Sequence, residues 1–162
     1  VTVNPSLVIG PAIDPRGTSG SFELIARLGD GTMRFGTARW GTGVVDVRDL
    51  AEAHLRAAFT PEANGRYIVC GHNSDMFDLA RALLPKYGDR YPIPRRVIPG
   101  WLVRLVGPLA NRALTRKTVS LNVDRPWRAD NTKSRRELGM EYRPMEESIN
   151  AFFQQLVDSG QL

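Results

Sequence analysis

The sequence predicts an α/β fold in which short buried strands alternate with helices. Two apolar runs, 1–3 and 7–9, lack polar alternation, as is typical of strands covered on both faces of a parallel sheet. Further short strands are predicted at 44–47 and 67–70. Helical patterns lie between these runs, and a parallel pair needs such a crossover. We therefore expect 1–4 and 67–70 to lie side by side, in parallel, in one sheet.

The first strand is predicted to stop early and to be followed by a loop and one short helix. Pro5 has no N–H to donate to a ladder, so regular pairing should end there. Residues 12–21 are rich in Gly, Pro, Ser and Thr and are predicted to form a loop. Ser21 can cap a helix that ends at Gly29. A further short strand is expected over 33–36.

Polar residues mark the starts of the two helices in the middle of the chain. Asp49 and Glu52 have the N-cap and N3 spacing of a helix over 49–59. Asn73 or Ser74 is expected to cap the next helix. Short apolar strands and capped helices thus continue to alternate through this region.

The second half is predicted to be mainly helical. An apolar helical pattern covers 101–114, and the dipeptide 107–108 (Gly-Pro) should break or kink it. Residues 116–128 show little periodicity and are predicted to be a connection. A short helix should end at Gly139, and the final helix should begin at Pro144.

Composition is that of an ordinary globular domain. The chain has 162 residues, of which 42% are hydrophobic and 24% charged, so one domain with a real core is expected. Its single cysteine, Cys70, excludes an internal disulfide and fits a reducing, cytoplasmic environment. Because Cys70 lies in an apolar run, a buried and unreactive thiol is expected. No apolar stretch is long enough to cross a bilayer.

The net charge of +5 is unevenly distributed. Residues 95–136 contain eleven Lys and Arg but two Asp and Glu, which gives this segment +9 and the remainder −4. Such a segment can be a solvated or interface face, or can bind a phosphorylated ligand, nucleic acid or an anionic membrane. The first interpretation is favoured, and no nucleic-acid partner is expected.

Four stretches, in order and spacing, carry a resemblance to a known family. They are TVNPSLVIGP at 2–11, VVDVRDLAEAH at 44–54, GRYIVCG at 65–71, and the stretch 130–144, which contains DNTK, LG and YRP. The chain resembles the C-terminal portion of the extended short-chain dehydrogenase/reductases, the NAD-dependent epimerase/dehydratase superfamily. The similarity is greatest to the branch of dihydroflavonol and cinnamoyl-CoA reductases, and it covers essentially the whole chain.

The resemblance implies a fold, a cofactor and a set of site residues. The fold would be the last strands of a Rossmann-type parallel sheet plus a mostly helical substrate-binding portion. Residues 1–11 and 44–71 would belong to the nucleotide domain, and 12–43 and 72–162 mainly to the substrate portion. The full-length protein would use NAD or NADP to reduce a small-molecule carbonyl. The implied cofactor-binding residues, beside the nicotinamide, are Pro5, Ser6, Leu7 and Val8.

Two landmarks of that family are missing from the sequence. No glycine turn for a dinucleotide pyrophosphate follows a strand, and none of the four tyrosines has a lysine four residues later. We therefore expect no catalytic residue in this chain and no dehydrogenase activity from the chain alone. Because the chain opens inside a strand, we expect an N-terminal half or a second chain to cover the edge of that strand. A homodimer is also possible.

Several alternatives remain open at the level of sequence. A nucleotide-sugar epimerase or dehydratase would use the same cofactor, and a non-catalytic binding domain could use the basic amphipathic helix after residue 100. Cys70 and His72 are only two residues apart, and no second pair of Cys or His completes the four ligands of a zinc site. No metal is therefore expected. His54 is expected to be a packed or surface histidine. Asp46 and Asp49 could be paired carboxylates, although Asp46 could instead anchor Arg48.

Overall fold

The computed structural model describes residues 1–14, 17, 19–110 and 115–162. These residues form five strands and seven helices. The strands are β1 (Thr2–Pro5), β2 (Leu7–Ile9), β3 (Gly41–Asp46), β4 (Arg66–Val69) and β5 (His72–Asp75). The helices are α1 (Gly20–Gly29), α2 (Val47–Phe59), α3 (Met76–Tyr87), α4 (Gly100–Ala110), α5 (Arg116–Asn122), α6 (Thr132–Leu138) and α7 (Met145–Asp158).

The strands form two small sheets that meet at Ser6. β1 pairs in parallel with β4, with Thr2 opposite Arg66, which confirms the predicted pairing. β2 pairs in parallel with β3, and β3 pairs in antiparallel with β5. β1 ends at Pro5, where the missing N–H interrupts the ladder. The N–H of Ser6 still donates to the carbonyl of Val69 at 3.1 Å, and β2 then continues along β3.

The larger of two hydrophobic cores lies where α1, α3 and α7 meet β2 and β3. Its aromatic centre includes Phe22 against Phe152, edge to face at 4.8 Å, and Tyr87 against Phe153 at 4.5 Å. Other buried members are Ile9, Ile25, Leu28, Val44, Leu79, Leu83, Ile149 and Leu156. The apolar stripe of α7 therefore packs as its periodicity predicts, and α6 ends at Gly139 in a left-handed conformation, also as predicted.

The smaller core lies between the β1–β4 sheet, α2 and α6. Its buried members are Val45, Ala53, Ala57, Tyr67, Val69, Leu138 and Met140. The opposite face of this sheet is open among the described residues, since Thr2, Asn4 and Arg66 are exposed. The expectation that residues 1–3 are covered on both faces is therefore wrong for this chain, because α2 and α6 cover only one side of the sheet.

Two aspartates, rather than the predicted residues, cap the N-termini of α2 and α3. α2 begins at Val47, and Asp46 caps it by accepting from the N–H of Arg48 at 2.8 Å. Asp49 lies inside this helix, so its predicted N-cap role is wrong. α3 is capped by Asp75, which accepts from the N–H groups of Phe77 and Asp78. Asn73 and Ser74, the predicted caps, instead lie in β5, because this polar segment pairs with β3.

Three further local predictions differ from the structure. α1 begins at Gly20 with Ser19 at its N-cap, so Ser21 lies inside the helix. Residues 33–36 are turn and irregular backbone rather than strand. Part of the predicted 116–128 connection is the helix α5, whose N-cap Thr115 accepts from the N–H of Thr118. Pro108 lies inside α4, which continues to Ala110, so the predicted break does not occur there. The predicted continuation of this helix to residue 114 falls outside the described residues.

No helix in the described ranges has the length and hydrophobicity needed to cross a membrane.

Candidate functional site

An apolar cavity of about 460 Å³ opens where β2 begins. Leu7 reaches it from β2, Leu24 from α1, Met76 from the start of α3, and Val103 from α4. The remaining lining residues are Arg27, Met33, Gly36, Thr37, Ala38, Trp40, Thr42 and Ile98. The volume and the apolar lining with a few hydroxyl groups are those of a small-molecule site.

One wall of the cavity is held by backbone pairing between two irregular segments. The N–H of Thr37 donates to the carbonyl of Arg96 at 3.1 Å, and the N–H of Ile98 donates to the carbonyl of Thr37 at 3.0 Å. Gly36 permits this approach: its φ is +141°, and a Cβ there would lie 2.6 Å from the carbonyl oxygen of Arg96. The wall is therefore a fixed part of the fold, although it contains no regular strand.

The four residues predicted to bind the cofactor lie at the junction of the two sheets but face different surroundings. Leu7 lines the cavity and packs against the larger core, whereas Val8 packs against the smaller core. Pro5 is exposed. The Oγ of Ser6 is buried and has no hydrogen-bond partner among the described residues. The structure thus brings only Leu7 of the four to the cavity.

Ser6 packs closely against the side chains of Trp127 and Cys70 around Gly43. A Cβ on Gly43 would lie 2.6 Å from Nε1 of Trp127, 2.7 Å from Sγ of Cys70 and 3.0 Å from Cβ of Ser6. Only glycine leaves room for these three side chains to converge on β3. Sequence reasoning missed Trp127, which lies in an irregular segment with no periodicity to place it.

Asp46 and Asp49 do not form a catalytic carboxylate pair, because each is bound by its own arginine. Asp46 accepts from Nε and Nη2 of Arg48 at 2.9 and 2.7 Å, as the anchoring interpretation predicts. Burial alone raises the pKa of Asp46, but hydrogen bonds from Arg48 and Ser148 outweigh burial and hold the pKa below its ordinary value. Asp49 accepts from the N–H of Arg143 at 2.8 Å and also from its guanidinium. Both carboxylates therefore tie the start of α2 to neighbouring structure.

Cys70 and the two histidines are also engaged separately. Cys70 is buried, and its thiol donates to the carbonyl of His72 at 3.4 Å. Nε2 of His72 donates to the carbonyl of Arg143 at 2.7 Å, while Nδ1 of the exposed His54 lies 2.8 Å from the carbonyl of Leu50. No imidazole is hydrogen-bonded to the thiol. In the part of the chain that the structure describes, no cluster of His, Cys, Asp and Glu could hold a metal ion.

Comparisons with known proteins agree with this architecture. No family model matches the chain. Cinnamoyl-CoA reductase 2 of Medicago truncatula is 26% identical over 165 residues, a match that covers 100% of this chain and 41% of that protein. The ketoreductase azaE of Aspergillus niger is 30% identical over 159 residues, covering 90% of this chain and 39% of that protein. The chain therefore spans about two fifths of the length of the curated relatives it matches.

Solved structures show the same correspondence in three dimensions. Yeast methylglyoxal/isovaleraldehyde reductase Gre2, complexed with NADPH, superimposes with a TM-score of 0.70 at 27% identity, covering 99% of this chain and 44% of that one. The homologues are cinnamoyl-CoA, dihydroflavonol and tetraketide pyrone reductases, and the structural neighbours belong to the NAD-dependent epimerase/dehydratase superfamily. The chain corresponds to the C-terminal part of these NAD(P)-dependent reductases.

Proposed function

We propose that this chain is the substrate-binding portion of an NAD(P)-dependent reductase that acts on an apolar carbonyl compound. The observation that carries the proposal is the 460 Å³ cavity. Leu7, which belongs to the loop at 5–8 that we expect beside the nicotinamide, lines this cavity. When bound, the nicotinamide would supply the hydride. The cavity would hold the carbonyl compound, exclude water and orient the reacting carbon towards that loop.

The residues of the 5–8 loop suit the nicotinamide end of the cofactor. A buried hydroxyl without a partner is costly, and Ser6 has such a hydroxyl. In this proposal Ser6 or the neighbouring backbone would bind the carboxamide and Leu7 would contact the ring from the cavity side, while Pro5 and Val8 would shape the loop. The sequence offers no glycine turn for the pyrophosphate, so the rest of the dinucleotide would be bound by another part of the protein.

The domain division of the full-length protein follows from the same proposal. Residues 1–11 and 44–71 would complete a nucleotide-binding sheet, and 12–43 with 72–162 would form most of the substrate portion. The open face and free edge of β1 would then be covered by the N-terminal half or by a second chain, with homodimerisation as one way to do so. The Tyr-Lys pair would also lie outside this chain, which we propose to be inactive alone and to work in the reducing cytoplasm.

The apolar lining favours a reductase over an enzyme of nucleotide sugars. A sugar diphosphate needs many polar partners, whereas the cavity offers mainly aliphatic and aromatic side chains. The curated homologues are also reductases. Activity on nucleotide sugars without activity on aryl or alkyl carbonyls would favour the epimerase alternative.

A matched pair of variants on α4 tests the use of the cavity. Val103 lines the cavity and Val106 does not, although both lie on the same helix. In the full-length reductase, Val103→Phe should raise KM for a bulky aromatic aldehyde roughly tenfold and leave KM for NADPH unchanged. Val106→Phe should change neither. Equal effects of the two substitutions, or none, would show that the cavity does not hold the substrate.

A further inference from the structure

The outer face of α4 is an apolar stripe without cover among the described residues. Trp101, Leu105 and Leu109 are spaced four residues apart, so they lie along one side of the helix. Their exposed fractions are 70%, 59% and 88%. Scattered exposed apolar residues are ordinary, but three large ones in a continuous helical stripe mark an interaction surface.

Basic side chains lie beside this stripe on α4 and on the neighbouring helix α5. Arg104 lies on α4 beside it, and a cleft of about 360 Å³ joins Trp101 and Arg104 to Arg125, which follows α5. Arg116 and Lys117 are exposed at the start of α5. In the described part of the chain, none of these four cations forms an ion pair, whereas several arginines elsewhere do.

The inner face of the same helix reaches the cavity. Val103 lines the apolar cavity, while Gly107 is buried. α4 therefore separates the cavity from the stripe, and its two faces have distinct roles. The segment 95–136, to which α4 and α5 belong, carries a charge of +9 against −4 for the remainder of the chain.

We propose that one surface of this chain docks onto an anionic lipid bilayer. This docking surface consists of Trp101, Arg104, Leu105, Leu109, Arg116, Lys117 and Arg125. A helix with leucine and tryptophan on one face and cations beside it lies in the plane of the membrane interface. Its apolar residues enter the boundary between headgroups and acyl chains, and its cations bind anionic headgroups. Charge complementarity favours this occupant over a two-fold dimer, because a second copy that met this surface with its own α4 would bring the same positive field against this one.

Docking would place the substrate cavity next to the acyl chains. The cavity and the stripe lie on opposite faces of one helix, so an apolar compound dissolved in the bilayer would have a short path to the cavity. The docking surface itself rests on exposure and charge, not on the proposed reductase activity, and vesicle binding tests it separately.

Co-sedimentation with vesicles provides the test. The protein is mixed with vesicles of phosphatidylcholine alone or of phosphatidylcholine and phosphatidylglycerol at three to one, at low and high salt. We expect binding to the anionic vesicles that weakens with salt, and a blue shift of tryptophan fluorescence that Trp101→Phe abolishes. No binding to either vesicle, or equal binding to both, would overturn the proposal.

Two pairs of variants separate the apolar and the charged contributions. Leu105→Ser with Leu109→Ser should reduce binding at least tenfold, whereas the control pair Leu55→Ser with Phe59→Ser, on the exposed face of α2, should not. Arg104→Gln with Arg125→Gln should weaken binding about 25-fold, since each cation near an anionic surface contributes about fivefold. The control pair Arg66→Gln with Arg81→Gln should have little effect.

Two other outcomes would contradict membrane docking. Dimers in light scattering that Leu105→Ser with Leu109→Ser dissociates, without vesicle binding, would show that a second copy covers the stripe. Tight, salt-sensitive binding to a DNA or RNA duplex without vesicle binding would assign the basic residues to nucleic acid. Circular dichroism of every variant confirms that a loss of binding is not a loss of helix.

Discussion

The two hydrophobic cores of this chain differ in how completely they are closed. The larger core is enclosed on several sides by α1, α3 and α7, and Phe153, Leu79 and Ile25 are fully buried within it. In the part of the chain that the structure describes, the smaller core has helices on only one side of the β1–β4 sheet. Ile68 of β4 is exposed on the open side, and Leu55 and Phe59 are exposed on the outer face of α2.

This difference separates the part of the chain that stabilises itself from the part that needs a neighbour. A closed core gains its full hydrophobic free energy within the chain, whereas apolar groups on an open sheet gain theirs only when another surface covers them. Among the described residues β1 pairs along one edge only, so its other edge adds unpaired backbone groups that also need a neighbour. The chain matches about two fifths of its relatives, and we propose that the remaining portion is the natural cover.

The largest expected effect comes from opening the closed core. Phe153→Ala should lower the free energy of unfolding by about 3–5 kcal/mol, because it leaves a cavity among Tyr87, Tyr91 and the helices around them. Phe59→Ala is the matched control: Phe59 is 81% exposed, and its loss should cost less than about 0.5 kcal/mol. Urea denaturation followed by circular dichroism measures both. Similar losses for the two variants would mean that the larger core contributes no more to stability than an exposed side chain outside it.

A smaller effect is expected from the ion pair that links the two regions. Asp49 of α2 binds Arg143, which lies just before α7. Asp49→Asn should destabilise the chain by about 1–2 kcal/mol, a reduced value because Arg143 is partly exposed and solvent screens the pair. Glu23→Gln, which breaks an exposed pair with Arg27 inside α1, should change stability by less than about 0.5 kcal/mol. If the two losses were equal in urea denaturation, Asp49 would contribute no more than a surface charge.

The smallest effect concerns pH and Asp46. Its pKa is lower in the folded chain than in the unfolded chain, because the hydrogen bonds from Arg48 and Ser148 outweigh burial. The unfolded state therefore binds the proton more readily, and stability is lost as pH falls below about 4, the ordinary pKa of aspartate. Urea midpoints measured from pH 6 to pH 3 should fall less steeply for Asp46→Asn than for the natural sequence. Parallel curves would show that Asp46 contributes nothing to the acid dependence.

The elements predicted most accurately from the sequence are those marked by a clear apolar pattern or by a proline or glycine at one end. α7 and α6 follow from an apolar stripe, Pro144 and Gly139, and the parallel pairing of β1 with β4 follows from two apolar runs separated by helices. β5 was missed because His72–Asp75 is polar and becomes a strand only by pairing with β3. Asp46 was overlooked as a cap because it directly follows the strand valines.

The cavity was the least predictable feature. Its wall at 33–38 is irregular backbone, held by contacts with Arg96 and Ile98 that lie far away in sequence. Gly36 is the one local signal, since its positive φ marks a close approach of two backbones. The implied cofactor loop at 5–8 lies next to this cavity, but only the folded chain shows that Leu7 lines it.

The proposal that this chain is the substrate-binding portion of a larger reductase is tested most directly by hydride transfer. The rate is measured for the 162-residue chain alone and for a protein that also contains the proposed N-terminal half. The 162-residue chain alone should oxidise NADPH in the presence of an aromatic aldehyde at no more than the background rate, because it lacks a Tyr-Lys pair and a pyrophosphate turn. The protein that includes the N-terminal half should turn over the same aldehyde, with a KM that Val103→Phe raises and Val106→Phe leaves unchanged. Clear turnover by the chain alone would contradict the view that it is the substrate-binding portion of a larger reductase.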